Sequence, residues 1–128
     1  MRIIRKITVK QVLTEESKSS IQKKLHNEKD MLKKECEQLL FEQKKMEHSK
    51  KGRNSSLQTS FLQEIERRED QIESIRFQLE QLEILPLGTE LRESEIEALI
   101  EVNEGDSWDR LVKEIVIENG IVKEIRKG

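Results

Sequence analysis

Residues 61–82 read FLQEIERREDQIESIRFQLEQL, and the placing of the apolar side chains in this stretch decides the fold. Phe61, Ile65, Arg68, Ile72, Ile75, Leu79 and Leu82 follow one another in alternating steps of four and three. An α-helix completes a turn in ~3.6 residues, so these steps hold all seven side chains on one narrow stripe, the seam of a left-handed coiled coil. Upstream, Leu25, Leu32, Leu39 and Met46 recur every seven residues. The two seams match when the helices run antiparallel. Met46 with Phe61, Leu39 with Arg68, Leu32 with Ile75 and Leu25 with Leu82 then share one index sum, and its midpoint falls between Arg53 and Asn54. The intervening HSKKGRNSSL, residues 48–57, carries Gly52 and Asn54, both tolerant of left-handed backbone. A helical hairpin over residues 14–85, turning near residues 52–55, is therefore expected.

The seams do not match everywhere. In this register Glu42, Glu35 and Glu28 stand opposite Ile65, Ile72 and Leu79, while Cys36, Leu40 and Phe41 occupy a neighbouring line. The second helix thus offers a fuller apolar stripe than the first covers, and a homodimer would bury the remainder.

Outside the hairpin the periodicity changes from helical to alternating. Residues 3–12 place Ile3, Ile7 and Val9 on one face and Ile4, Lys6, Thr8 and Lys10 on the other, a strand pattern. Thr14 followed by Glu15 and Glu16 forms a helix start, with a capping hydroxyl and acids that offset the helix dipole. Pro86-Leu87-Gly88 stops the second helix. Residues 95–102 alternate as a second strand, and Ser107 can cap a short helix through Lys113 with Trp108, Leu111 and Val112 turned inward. EIVIENGIVKEI, residues 114–125, is a hairpin whose Asn119-Gly120 suits a type I′ turn. That register sets Ile117 against Val122 and Ile115 against Glu124.

The strand at residues 3–12 lacks a partner nearby in sequence, so it joins the C-terminal sheet. Its Arg2, Lys6 and Lys10 complement Glu95, Glu97 and Glu101. The expected fold is α+β: a long antiparallel coiled-coil hairpin, residues 14–85, inserted into a small four-stranded antiparallel β domain of residues 1–13 and 86–128. Closure of that sheet into a barrel is left open.

Composition narrows the function. Of 128 residues, 39% are charged and 3% aromatic, which suits a thin, solvated structure better than a thick core. Residues 1–13 hold four basic groups and no acid, whereas residues 86–128 hold six basic and eleven acidic groups, so the two ends attract. The single cysteine, Cys36, fits a reducing compartment, and no segment has the length or apolarity to span a bilayer. A cytoplasmic location follows, with no membrane partner.

Catalytic patterns are missing. His26 and His48 have no partner arranged as a dyad, and there is no CxxC, HExxH, phosphate loop or EF-hand spacing. No catalytic, cofactor-binding or metal residue is assigned, and no cofactor is expected. The feature that stands out is the hairpin's end, where Lys44, Lys45, Lys50, Lys51 and Arg53 face only Glu47 in a protein of net charge −2. Lysines there complement the helix dipole, and the same cluster suits a phosphate-lined groove. The expected function is a non-enzymatic interaction or scaffold module presenting this basic tip to RNA or a ribosomal particle. The alternative is a holdase-like chaperone or protein-binding scaffold using Ile65, Ile72 and Leu79.

Two segments carry a family resemblance: RIIRKITVKQVLTEESK, residues 2–18, and IEVNEGDSWDRLVKEIVIENGIVKEIR, residues 100–126. Together they resemble the YlqD family of small cytosolic bacterial proteins, most specifically in Gly105-Asp106, Trp108-Asp109 and the following Asn-Gly hairpin. The resemblance brings no assigned activity and so no catalytic residues. Through the ribosome-maturation genes that neighbour many members, it implies a ribosomal or RNA context.

Overall fold

The computed structural model describes residues 1–48 and 55–128. Their elements run β1 (Arg2–Val12), α1 (Glu15–Glu47), α2 (Ser55–Ile84), β2 (Glu90–Glu101), a 3₁₀ turn (Trp108–Arg110), β3 (Val112–Glu118) and β4 (Ile121–Lys127). They divide into two compact units, residues 1–19 with 85–128, and residues 20–84. Among the described residues the protein is α+β, with two α-helices and a four-stranded mixed sheet.

The sheet has the order β2-β1-β3-β4. β1 and β2 are antiparallel, with Arg2 opposite Glu101 and Lys6 opposite Glu97, so opposite charges face one another across the pair. β1 and β3 are parallel, Thr8 lying beside Glu114 and Lys10 beside Val116. This corrects the expectation of a purely antiparallel sheet. β2 ends at the start of β1, where the Val102 amide donates to the Met1 carbonyl at 2.8 Å. The chain then passes to the far side of β1 before β3 begins, so β3 sets out in β1's own direction. The antiparallel expectation took each strand to reverse on its predecessor, but β1 stands between β2 and β3. The sheet is also not closed; β2 and β4 are its edges, and no barrel forms.

Two local expectations change as well. β2 begins at Glu90, well before residue 95, and its register shifts where Val9 and Lys10 face it. The expected helix at residues 107–113 is only a three-residue 3₁₀ turn, because Leu111 is already extended at φ −69 and ψ 153 and leads into β3. Trp108 is consequently 65% exposed rather than turned inward. In the β3–β4 hairpin Asn119 (φ 49) and Gly120 (φ 77) both take the left-handed backbone of a type I′ turn. Ile117 faces Val122, but a bulge between Val116 and Ile117 sets Ile115 against Ile125 instead of Glu124.

The end of β1 is the densest part of this unit. Val12, Leu13 and Val116 are buried, Leu13 and Val116 to 1% exposure. α1 starts from a reciprocal cap: the Ser17 amide donates to Thr14 Oγ1 at 3.1 Å, and the Thr14 amide donates to Ser17 Oγ at 2.8 Å. This is a capping box with serine in the place usually held by glutamate. Thr14 Oγ1 also donates to Asn119 Oδ1 at 2.6 Å, joining the cap to the hairpin turn. Gly88, at φ 94, donates its amide to the Leu13 carbonyl at 2.7 Å, and the Leu13 amide donates to Thr89 at 2.8 Å.

In the helical unit α2 buries Ile65, Ile72, Ile75 and Leu82, and Phe61, Arg68 and Leu79 are half-buried. These are the positions of the four-three stripe. α1 answers with buried Cys36 and half-buried Leu25, Leu32, Leu39 and Met46. Contacts between the helices join low numbers on one to high numbers on the other: Gln22 Nε2 donates to Glu83 at 2.9 Å, and Arg68 Nε to Glu35 at 2.8 Å.

Candidate functional site

The basic cluster is only partly within the described residues. Lys44 and Lys45 stand in the last turn of α1, exposed, where positive charge complements the partial negative charge of the helix end. Lys50, Lys51 and Arg53, and with them the Gly52–Asn54 turn, lie outside the described residues.

The apolar candidates occupy a different setting. Ile65 and Ile72 form one buried cluster with Cys36, and Leu32 and Leu39 pack against it. The part of the expected mismatch that faces Ile65 and Ile72 is thus filled by Cys36, one helical step from Glu35 and small enough to sit beside two isoleucines. Burial pushes the Cys36 thiol up, and the nearby carboxylate of Glu69 adds to the effect. Glu28, Glu35 and Glu42 point outward; Glu35 accepts from Arg68, and Glu42 accepts from Gln38 at 3.1 Å. Arg68 also reaches Glu64 at 2.7 Å, and with Arg67 it holds the Glu64 carboxyl below the usual range. Arg68, the one charged member of the α2 seam, is therefore neutralised by carboxylates from both helices. Leu79 is half-buried within the same line.

The sheet unit carries a charged constellation that the sequence reading missed. Lys10 Nζ of β1 lies 3.0 Å from Glu114 of β3. Arg126 of β4 reaches Glu90 of β2 at 2.6 Å, Glu114 at 3.6 Å and Glu124 at 3.1 Å. Each of the four strands contributes at least one member, and opposite charges alternate across the sheet. The Arg126 hydrogen bond holds the Glu90 carboxyl below its ordinary value, and Lys10 does the same for Glu114, with Arg126 helping. Arg126 is raised in turn by its hydrogen bonds to Glu90 and Glu124. Lys10 was expected to meet the acids of β2, but its opposite residue there is Arg92, so its ammonium turns to β3. The parallel β1–β3 pairing creates this arrangement, and no spacing along the chain announces it.

At the other end of β1, the Arg5 guanidinium lies 5.8 Å from the centre of the exposed Trp108 ring. Nη1 of Arg5 is buried with no hydrogen-bond partner among the described residues, and the indole supplies an electrostatic contact to the guanidinium. An open cleft of about 830 Å³ lies nearby, its lining including Ile100, Asp106, Arg110 and Lys127. Among the described residues no group of three histidines, cysteines or acids is placed to hold a metal, and no helix is long and apolar enough to cross a membrane.

Among the described residues the fold is that of an α+β protein in which two long helices stand, in chain order, between the first two strands of a four-stranded mixed sheet. The structure is similar to a crystal structure of a protein of unknown function from Synechococcus sp. WH 8102, with a TM-score of 0.74, covering 99% of this chain and 95% of the other. At 19% identity that likeness is one of fold. In sequence, the YlqD protein family matches residues 1–126. The chain is also 42% identical over 129 residues to the Uncharacterized protein YlqD of Bacillus subtilis (strain 168), spanning 99% of both chains. The chain belongs to the YlqD family.

Proposed function

We propose that the protein is a non-enzymatic interaction module that presents the basic end of its helical pair to structured RNA, such as that of a ribosomal particle. The reading takes α1 and α2 as an antiparallel coiled-coil hairpin, supported by the Gln22–Glu83 and Arg68–Glu35 contacts. One observation carries it: Lys44 and Lys45 stand exposed at the end of α1 and open a run, residues 44–53, in which five basic side chains meet one acid. Lysine and arginine side chains that neutralise phosphates release condensed counterions, which makes the affinity salt-dependent. The burial of Ile65 and Ile72 against Cys36 speaks against the chaperone alternative, because a client would have to displace that packing.

The test is fluorescence anisotropy with a structured RNA at two salt concentrations. The wild type is compared with a variant carrying glutamine at residues 44, 45, 50, 51 and 53. Five phosphate contacts predict a loss of affinity of about a hundredfold or more for a fourfold rise in salt, and the variant should lose most of that dependence. Equal binding by the two proteins, or no binding by either, refutes the reading.

A further inference from the structure

The sheet leaves two edges, and they differ in how well each can meet its own copy. β2 carries exposed Glu93, Glu95, Glu97 and Glu101, so antiparallel self-pairing there sets acid against acid. β4 is shorter and far more apolar on its surface: Ile121, Val122 and Ile125 are 71%, 55% and 58% exposed. Its outer backbone groups have no strand partner among the described residues.

The β3–β4 bulge gives this edge an unusual property. Val122 faces Ile117 and Ile125 faces Ile115, two β3 residues on the same side of the sheet. Val122 and Ile125 therefore share a face although three positions separate them. Run antiparallel against itself, the segment Val122-Lys123-Glu124-Ile125 is self-complementary. Val122 falls opposite Ile125 of the second copy and Lys123 opposite its Glu124, and each pairing occurs twice.

We propose that β4 is the docking edge for a second copy of this chain, joined β4 to β4 about a two-fold axis between residues 123 and 124. Such an isologous contact closes on itself and extends the sheet across both copies, with no further edge of the same kind left to recruit a third. The present partners of the two charged groups do not oppose it. Lys123 pairs with Glu118 at 3.5 Å and Glu124 with Arg126 at 3.1 Å, both near the surface where such pairs contribute little. A single seven-residue strand pair is a small interface, so assembly is weak and visible only as a function of concentration. The proposal is independent of the basic helix end.

Sedimentation velocity of the full chain, from low micromolar to several hundred micromolar, reads the assembly directly. The mass should rise from 15.1 kDa toward twice that value. Lys123→Glu sets two carboxylates against each other at both symmetric contacts and should weaken the dimer at least about tenfold. The exchanged pair, Lys123→Glu with Glu124→Lys, restores the complement and should recover most of the affinity. Hydrogen exchange of the β4 amides in the wild type supplies a readout that needs no variant, and it should slow as concentration rises. Three results overturn the proposal: a monomer at every concentration, a dimer that Lys123→Glu leaves untouched, or β4 exchange that is indifferent to concentration.

Discussion

Among the described residues the sheet unit and the helical unit each bury five apolar side chains, yet they arrange them differently. In residues 20–84, Cys36, Ile65, Ile72, Ile75 and Leu82 lie along a line, so each supports mainly its own stretch of helix. In the sheet unit, Ile7, Val9, Val12 and Leu13 fall within the stretch 7–13, and Val116 lies on the β3 strand that pairs with the end of β1. Burial strung along a seam spreads its contribution, whereas burial concentrated at one junction makes single positions decisive.

The sharpest way to break this comparison is Leu13→Ala. A large-to-small change at 1% exposure should cost about 3 kcal/mol and lower the urea midpoint of the sheet unit. Ile72→Ala in the seam should cost somewhat less, about 2 kcal/mol, because an exposed helical line can relax around the gap. The two units can be followed separately: far-UV circular dichroism reports the helices, and Trp108, the only tryptophan, reports the sheet unit. Ile72→Ala should move the helical midpoint more than the tryptophan midpoint. Equal movement of both would show one cooperative body and remove the distinction.

A smaller effect is expected at the start of α1. Thr14→Ala removes both the cap and the contact to Asn119, and about 1 kcal/mol should be lost in the same urea titration. Ser17→Ala, which loses the other half of the capping box and the bond to the Val12 carbonyl, should behave similarly.

The smallest effect is one of acidity. Glu90 and Glu114 are held below their ordinary value of 4.5 in the folded protein, so their stabilisation is present above that pH. It disappears as pH falls through the lower folded values. The thermal midpoint should therefore drop on acidification below about pH 4.5, and Arg126→Gln should flatten the drop. Glu64 behaves in the same sense in the helical unit, so the flattening should be partial. An unchanged slope in Arg126→Gln would show that the Arg126 arm of the network adds nothing to stability.

What the sequence made legible follows the same division. The α2 stripe could be read because a helix writes its buried face into its own numbering, and Ile65, Ile72, Ile75 and Leu82 are buried where that numbering places them. The Asn119-Gly120 turn was equally plain, since only a few residue types accept two successive positive φ values. Cys36 was read as a small residue in or near the seam, on the line beside Glu35, and it is buried there against Ile65 and Ile72. The parallel neighbour of β1 was not legible at all. Nothing in the numbering of residues 3–12 says which of three later strands lies on which side. The Lys10–Glu114–Arg126–Glu90 network, a product of that choice, was hidden with it. The basic helix end was visible as composition, and its chemistry awaits the RNA measurement.

The place of β1 in the sheet also sets an order of events during synthesis. Of the four strands of this sheet β1 is made before the others, and its two neighbours, β2 and β3, are encoded beyond residue 89. A nascent chain therefore emerges with a long central strand that has nothing to pair with, while α1 and α2 can already zip together through contacts nearer in sequence. Closing the sheet requires the two ends of the chain to meet, a non-local step that slows folding. In this sense β1 is a strand that waits, and its partners arrive last.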